Sequence, residues 1–241
     1  MTQTPTIFDA EAVLNRLLAP RYPPTRPTAL PRRRPESLRR GLVLKRVADY
    51  SIAATLSILT APLIGVCALL IRLTSRGPAF YSQERVGQFG RVFTIYKLRS
   101  MYHQCERTTG PQWSLPGDPR ITPIGRILRA THVDELPQLV NVLCGHMSLV
   151  GPRPERPEIA ALLALEIEDY DARSAVLPGI TGHAQVNLPP ECTLQDAIEK
   201  VRLDRHYIGR WSAWFDVLTL CRTALKVVGL RRPGRWARRS P

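Results

Sequence analysis

Residues 51–71 read SIAATLSILTAPLIGVCALLI, a stretch of 21 residues without a charged side chain. A helix needs about 20 apolar residues to cross the hydrocarbon core of a bilayer. The length and composition therefore predict a membrane helix, and a buried helix of a soluble protein is the alternative. Basic residues stand on both sides of the stretch, Lys45 and Arg46 before it and Arg72 and Arg76 after it.

The basic flanks and Pro62 bear on the topology of this helix. Positively charged flanks favour the cytoplasmic side, so both ends of the stretch are expected there, which a straight span does not allow. Pro62 lies near the middle, where it removes a helical hydrogen bond and bends the axis. These features favour a re-entrant helix over residues 42–73 that enters the bilayer, breaks at Ala61–Pro62 and returns. A plain span with a proline kink is the alternative.

The basic excess of the chain lies in its two ends. The net charge is +14, of which residues 1–46 contribute +7 and residues 222–241 contribute +7. Residues 47–221 hold 17 basic and 17 acidic side chains. Basic segments of this kind bind nucleic acid or an anionic membrane. Because a charge-free stretch of this length requires lipid, we expect membrane lipids as the partner and no nucleic acid; a non-enzymatic nucleic-acid-binding protein is the alternative.

The remaining organisation follows from composition. Residues 1–41 are rich in Pro and Arg and are predicted to form a disordered arm. Residues 74–230 have the composition of a small folded domain, and residues 231–241 form a basic tail. We predict an α/β class for the folded domain, mainly helical with a few short strands.

Local patterns predict the elements of this domain. Strands are expected at 80–81 and 92–96 around a turn at 87–90, helices at 124–130, 136–143, 157–170 and 206–228, and a Gly/Pro-rich loop at 178–190. The last helix has Trp214 and Leu218 on one side and ends in basic residues. This pattern predicts an amphipathic helix in the membrane interface, and packing on the protein core is an equal alternative.

Asp134 and Glu135 begin the predicted helix at 136–143. Either Thr131 caps this helix, or Asp134 is the cap and Pro137 lies in the first turn. In both cases the helix dipole and free N–H groups favour ionised carboxylates, suited to nucleophilic attack or metal binding. Adjacent carboxylates repel each other, and a hard cation such as Mg²⁺ between them would relieve this. Acidic residues at helix starts are mostly caps, so the pair alone is weak evidence of chemistry.

Five motifs in a fixed order give the pair a context. They are KLRSM at 97–101, DPRITPIGR at 118–126, DELPQL at 134–139, MSLVGPRP at 147–154 and PGITGHAQVN at 178–187. In this order they resemble the bacterial sugar transferase family, the monotopic polyprenyl-phosphate phosphoglycosyl transferases. The resemblance covers roughly residues 42–230.

The resemblance implies transfer of sugar-1-phosphate from a UDP-sugar to undecaprenyl phosphate at the cytoplasmic face of the bacterial inner membrane. This reaction starts the assembly of an exopolysaccharide, capsule, O-antigen or glycoprotein glycan. It implies that Asp134 attacks the sugar-bearing phosphate, that UMP leaves, and that the lipid phosphate displaces the covalent phosphosugar. It also implies that Asp134 and Glu135 hold Mg²⁺. A catalytically inactive membrane-bound scaffold and a homo-oligomer are left open.

The same resemblance assigns the substrate-binding residues. Basic side chains are expected to gather the phosphates, since the planar fork of arginine suits phosphate oxygens. These side chains are Lys97, Arg99, Arg129 and Arg153. Gln138, Thr181 and Gln185 are further expected contacts, although a structural turn explains the glycines around Thr181 equally well.

Overall fold

The computed structural model describes residues 36–106, 117–189 and 193–229. Helix α1 spans Glu36–Thr74 and begins within the last residues of the predicted arm. Within the described ranges, α1 is the one helix long and apolar enough to cross a membrane. The predicted disorder of residues 1–35 and the predicted basic tail at 231–241 lie outside the described residues.

Helix α1 is assigned as one helix of 39 residues with Pro62 inside it. The sequence predicted a break at Ala61–Pro62, but the helix continues through this point. Proline removes a single helical hydrogen bond, so the bonds on either side can maintain the helix. The re-entrant path through a bilayer stays a prediction, because a continuous helix can still be bent at Pro62.

Both halves of α1 pack on the folded domain, while its middle is exposed. The N-terminal half contributes Ala53 to one apolar cluster, and the C-terminal half contributes Ile71 to another. The domain residues in these clusters include Ile95, Leu139 and Val142 in the first and Leu98 and Leu128 in the second. Between them, Ile58 and Leu59 are 75% and 69% exposed, an apolar surface that a bilayer would cover.

A β-hairpin follows α1 and confirms the two predicted strands. Strand β1 (Phe80–Val86) pairs antiparallel with β2 (Val92–Leu98), with Tyr81 opposite Lys97 and Gln83 opposite Ile95. The turn contains Phe89 at φ 57°. Cross-strand partners share a face of the sheet. Tyr81, Gln83 and Lys97 therefore lie on one face, which is also the face of the buried Ile95.

The predicted helices at 124–130 and 136–143 are confirmed in position. Helix α2 (Pro123–Thr131) is capped by Thr122, whose hydroxyl accepts a hydrogen bond from the N–H of Gly125 at 3.0 Å. A 3₁₀ helix at Val133–Gln138 then leads into α3 (Leu139–Leu143). The first half of the second predicted helix is thus a 3₁₀ helix.

The predicted loop at 178–190 was wrong in part. Strand β3 (Ser148–Val150) pairs in parallel with β4 (Gly179–Thr181), and α5 (His183–Asn187) follows β4. A strand of three residues is too short to give a recognisable alternation, and the glycines dominate the local pattern. Between these strands lie α4 (Pro157–Glu166) and a 3₁₀ helix at Tyr170–Ala175, so the predicted helix at 157–170 ends early.

The predicted helix at 206–228 was also wrong in its bounds. Helix α6 (Leu194–Gly209) ends before Arg210, and α7 (Ala213–Val227) starts after Ser212, whose side chain caps it. The apolar periodicity continues across the break and hides it. Trp214 is 68% exposed on α7, with Val217, Leu218 and Leu225 also exposed. This surface fits an interfacial helix, whereas Asp216 on the same helix is buried.

Candidate active site

A cavity of about 660 Å³ lies between the hairpin, the 3₁₀ helix that contains Asp134, and the segment 153–156. It brings together six of the nine site residues predicted from the sequence: Lys97, Arg99, Arg129, Asp134, Glu135 and Arg153. Side chains from β1 form a further part of the wall: Tyr81, Gln83 and Arg85. The cavity is therefore predominantly cationic, and its two predicted catalytic carboxylates lie in the same wall.

The acidic pair lies in the first turn of the 3₁₀ helix at Val133–Gln138. The residue before this helix, His132, has a left-handed conformation (φ 58°, ψ 15°), and its side chain makes no capping hydrogen bond. Both predicted caps were wrong. The hydroxyl of Thr131 instead donates to the carbonyl of Ile127 at 2.8 Å, and Asp134 is inside the helix.

Glu135 forms two ion pairs at the wall of the cavity. Lys97 Nζ lies 2.9 Å from Glu135 Oε1, and Arg153 binds both carboxylate oxygens, Nη2 to Oε1 at 2.5 Å and Nη1 to Oε2 at 3.3 Å. Burial would raise the pKa of the Glu135 carboxyl. The charges and hydrogen bonds of Arg153 and Lys97 outweigh burial and hold this pKa well below its ordinary value. Glu135 is therefore ionised at neutral pH.

Asp134 is buried and has a different environment. Burial, and then the charge of Glu135, raise the pKa of Asp134 to about 6, although the nearby cations oppose the shift. The sequence predicted that the helix terminus would favour the ionised form; burial outweighs that effect. Among the described residues, no side chain donates a hydrogen bond to the Asp134 carboxylate. At pH 7 this carboxylate is still mostly ionised and is available to a reacting group.

Two contacts with Ser100 position Arg129 at the cavity. Its Nε donates to Ser100 Oγ at 2.8 Å. One turn earlier on α2, Gly125 lies so near the Ser100 carbonyl that a Cβ atom there would be 1.9 Å from the oxygen. Only glycine allows this contact, so the sequence GR at 125–126 belongs to the packing that positions Arg129.

Arg99 lines the cavity, but its guanidinium is already engaged. It donates from Nη1 to the carbonyl of Arg76 at 2.6 Å and from Nη2 to the carbonyl and hydroxyl of Ser75 at 2.9 and 2.8 Å. These acceptors follow the end of α1, where helical carbonyls lack partners. The contacts tie the end of α1 to the end of β2. A phosphate contact from Arg99 stays a prediction.

The three remaining predicted contacts do not line the cavity. Gln138 is buried, and its Nε2 has no hydrogen-bond partner among the described residues. The hydroxyls of Thr181 and Thr223 are 2.7 Å apart. Gln185 donates to the carbonyl of Ile180 at 3.0 Å. The motif at 178–187 thus forms β4 and the helix after it, and its side chains do not line the cavity.

Sequence reasoning missed a layer of charged residues behind Arg153. Arg173 donates to the carbonyl of Arg153 at 2.8 Å and forms a buried ion pair with Asp204 at 2.8 Å. Glu155, also buried, forms an ion pair with Lys200. Arg173, Lys200 and Asp204 lie outside the five motifs in the sequence, so no spacing signal could have found them. Glu155 directly follows the motif at 147–154, but its partner Lys200 is 45 positions away. Together these residues fix the backbone around Arg153.

Two carboxylates are a sparse donor set for a metal. No group of three or more His, Cys, Asp or Glu side chains that could hold a metal occurs in the part of the chain that the structure describes. Mg²⁺ is commonly held by one or two carboxylates together with substrate phosphates and water, which fits Asp134 and Glu135. Lys97 and Arg153 already bond to Glu135, so Asp134 has more lone pairs left for a cation than Glu135 has.

Comparison with known proteins identifies the family of this chain. A model of the bacterial sugar transferase family matches residues 40–230, and the chain belongs to that family. It is 44% identical over 178 residues to an undecaprenyl-phosphate glucose phosphotransferase from Komagataeibacter xylinus, covering 72% of this chain and 34% of that protein. It is 45% identical over 183 residues to a UDP-glucose:undecaprenyl-phosphate glucose-1-phosphate transferase from Caulobacter vibrioides, covering 74% and 67%.

A third relative is closer in length to this chain. The exopolysaccharide production protein PSS of Rhizobium leguminosarum bv. phaseoli is 40% identical over 181 residues, covering 73% of this chain and 90% of that protein. The first relative, by contrast, is matched over only about a third of its length. The family model covers α1 from residue 40 onward and the folded domain with its cavity.

Proposed function

We propose that this protein transfers sugar-1-phosphate from a UDP-sugar to undecaprenyl phosphate at the cytoplasmic face of the bacterial inner membrane. The relatives support the substrate class, since their names specify undecaprenyl phosphate and, in the Caulobacter protein, UDP-glucose. The observation that carries the proposal is the buried Asp134 carboxylate in a cavity with three cations, Lys97, Arg129 and Arg153.

The proposed chemistry uses Asp134 as the nucleophile. An oxygen of its carboxylate attacks the phosphorus that bears the sugar, and the bond from that phosphorus to the oxygen of the UMP phosphate breaks. UMP leaves with the electron pair of that bond, and an aspartyl phosphosugar remains. An oxygen of undecaprenyl phosphate then attacks the same phosphorus, which breaks the acyl-phosphate bond and restores the carboxylate. Two displacements at the same phosphorus thus replace one direct attack by the lipid phosphate on the UDP-sugar.

The neighbouring residues bind and orient the phosphates. Arg153 and Lys97 both form ion pairs with Glu135, which keeps the two cationic side chains at the cavity wall, where they can attract phosphate oxygens. Arg129, held by Ser100, adds a third positive charge. We propose that Asp134 and Glu135 hold Mg²⁺ together with substrate phosphates. When bound, Mg²⁺ would offset the negative charge of the pyrophosphate.

The size of the cavity supports a nucleotide sugar as the substrate. A volume of about 660 Å³ exceeds what the phosphates alone require. Tyr81 is the direct cross-strand partner of Lys97, so the β1 wall continues directly from the phosphate-binding cations. We assign the rest of the UDP-sugar to this wall, which also includes Gln83 and Arg85.

We also propose that α1 is re-entrant. Lys45 near its start and Ile71 near its end both contact the folded domain. These residues are 26 positions apart, about 39 Å along a straight helix, which exceeds the roughly 30 Å hydrocarbon core. If α1 crossed the bilayer, one domain would need contacts on both faces of the membrane. A helix that enters and returns keeps both contacts on one face and the exposed middle in lipid.

Asp134→Asn tests the proposed activity. Purified protein is incubated with undecaprenyl phosphate, Mg²⁺ and a panel of UDP-sugars, and UMP release is followed. The wild type should release UMP and form a covalent phosphosugar adduct on Asp134, visible by mass spectrometry. Asp134→Asn should do neither, whereas Asp169→Asn, which changes an exposed carboxylate paired with Arg205, should behave as wild type. Full turnover by Asp134→Asn would exclude Asp134 as the nucleophile, and inactive wild-type protein would favour a scaffold.

The topology has its own experiment. Single cysteines placed before Lys45 and after Arg72, in a chain without its native cysteines, are labelled with a membrane-impermeant maleimide in intact spheroplasts. Protection of both sites, with labelling of both after lysis, supports a re-entrant helix with cytoplasmic ends. Labelling of one site alone in intact cells would exclude it.

A further inference from the structure

A buried polar cluster joins the start of the membrane helix to α6 and α7. At its centre is the carboxylate of Asp216 on α7, which is buried. Lys45 Nζ donates to Asp216 Oδ2 at 2.8 Å, and Trp211 Nε1 donates to the same oxygen at 3.0 Å. The hydroxyl of Tyr207 on α6 lies 2.7 Å from Asp216 Oδ1. One carboxylate thus connects three helical segments.

The same cluster reaches the last residue of β3. Lys45 Nζ also donates to the carbonyl of Val150 at 3.1 Å. The Tyr207 hydroxyl is 3.2 Å from that carbonyl, so its single proton can bond either Val150 or Asp216. One turn further along α1, Asp49 accepts from the hydroxyl of Ser148 at 2.7 Å and from the N–H of Leu149 at 3.3 Å. Two side chains of the membrane helix therefore hold all three residues of β3.

The chain between β3 and the cavity is short and tightly packed. Gly151 follows Val150, and a Cβ atom at Gly151 would be 2.4 Å from the carbonyl of Leu177, so the backbone has no room to shift there. Pro152 and Pro154 restrict the backbone on both sides of Arg153. Arg153 then binds Glu135 through two hydrogen bonds. A displacement of β3 is consequently transmitted to the guanidinium.

We propose that Lys45 and Asp216 are positioning residues for Arg153, so that full activity requires the membrane helix to be seated on the folded domain. This inference rests on the proposed function, because it assigns Arg153 to phosphate binding. Neither residue lines the cavity, so neither is expected to touch the substrate. Through the Lys45–Asp216 contact, the phosphate-binding side chains reach their positions only when α1 is correctly oriented on the folded domain.

Lys45→Met tests the proposal, with Arg46→Met as the matched control. The two residues are adjacent on α1, and each substitution removes one positive charge from the same membrane flank. Within the described residues, the one hydrogen bond of the Arg46 side chain goes to the Tyr50 hydroxyl, at 3.4 Å. In the full chain in nanodiscs, Lys45→Met should lower kcat/KM for the UDP-sugar by roughly tenfold to a hundredfold, as expected for a misplaced binding group. Arg46→Met should change it less than about twofold. Equal effects of the two substitutions would overturn the proposal.

A double-mutant cycle separates positioning from general stabilisation. If Lys45 acts through Arg153, the factor lost by Lys45→Met should shrink to below about threefold in an Arg153→Lys background. The same factor in both backgrounds would mean that Lys45 does not act through Arg153 and would overturn the proposal. Dissociation constants for UDP-sugar, measured by calorimetry without turnover, should follow the same pattern.

Asp216→Asn is the second variant if Lys45→Met fails to fold, as judged by its melting curve. It keeps the shape and one acceptor oxygen but removes the charge that holds Lys45. It should reproduce the loss seen with Lys45→Met, and the two substitutions together should lose no more than either alone. A fully active Asp216→Asn protein would overturn the proposal. Inactivity of the wild type with every UDP-sugar would instead contradict the proposed function, so the two failures are distinguishable.

Discussion

Arg153 and Glu135 form a two-pronged ion pair in the wall of the cavity, with Nη2–Oε1 and Nη1–Oε2 separations of 2.5 and 3.3 Å. Lys97 shares the Oε1 atom at 2.9 Å. Glu135 therefore aligns two cations beside Asp134, and the backbone of Arg153 is itself held by Arg173. We infer that the main role of Glu135 is to orient Lys97 and Arg153.

Arg153→Lys should lower kcat/KM for the UDP-sugar by at least about tenfold. An ammonium group cannot reproduce the planar fork that binds both oxygens of Glu135. Arg205→Lys, which changes an exposed arginine paired with Asp169, is the matched control and should be close to wild type. Steady-state kinetics on both proteins provides the measurement. A loss of less than twofold for Arg153→Lys would contradict a role for the fork geometry.

The activity should fall as the pH drops through about 6. Asp134 must be ionised to attack, and burial and Glu135 raise its pKa to about 6. Lys97 opposes that shift, so Lys97→Met should move the titration of Asp134 to higher pH. Isotope-edited infrared spectra of metal-free protein, with Asp134→Asn to assign the band, report this ionisation directly. A titration of Asp134 near pH 4 would contradict the effect of burial.

Arg99→Met should reduce stability more than substrate affinity. The substitution leaves acceptors of Ser75 and Arg76 without their donor, and a hydrogen bond from a charged group contributes about 1.5–3 kcal/mol. We expect a lower melting temperature and a smaller change in KM than for Arg153→Lys. A large rise in KM with unchanged melting would instead support the phosphate contact predicted from the sequence.

The Glu155–Lys200 pair should make the fold sensitive to acid. Burial would raise the pKa of Glu155, but the charges of Lys200, Arg173 and Arg85 lower it from 4.5 to about 2. A depressed pKa contributes stability that is present above the unfolded value and is lost as the pH falls towards the folded value. The free energy of unfolding should therefore decrease between about pH 5 and pH 2.

Substitutions of this pair supply the check on that prediction. Glu155→Gln should remove part of the acid dependence and cost about 3–5 kcal/mol at pH 7, because the charge of Lys200 stays buried without its partner. Glu155→Gln combined with Lys200→Met should cost less than the single change. Denaturant unfolding at pH 7, 5 and 3 measures both effects. An unchanged acid dependence in Glu155→Gln would show that other carboxylates control it.

The sequence predicted the elements whose signals are local. The uncharged run at 51–71 predicted the apolar part of α1, and apolar residues on either side of a Gly-containing turn predicted the hairpin. The mainly helical class with short strands is confirmed. The break between α6 and α7 was missed because the apolar periodicity continues across it. Strand β4 was missed because a segment of three residues carries too little periodicity to be recognised.

The candidate site likewise has features that local sequence signals predicted and features that they did not. The ordered motifs identified the acidic pair and three basic residues of the cavity, Lys97, Arg99 and Arg153, since each lies in a contiguous stretch of sequence. Arg85, Arg129 and Arg156 also line the cavity but lie outside these motifs. The motifs did not reveal that Arg99 binds the end of α1, nor that Lys45 bonds a carboxylate 171 positions away. The sequence gives the chemical types; which cations face the cavity depends on partners brought together by folding.

The amino-acid sequence by itself determined that this protein has a long apolar helix, an Asp134–Glu135 pair and a set of basic motifs, because each is encoded in neighbouring residues. Only the tertiary structure decided the protonation balance of that pair and the partners of each cation. Burial raises the pKa of Asp134, while Arg153 and Lys97 lower that of Glu135. Two adjacent carboxylates thus differ because desolvation and charge depend on distances in space, which the order of residues along the chain does not contain.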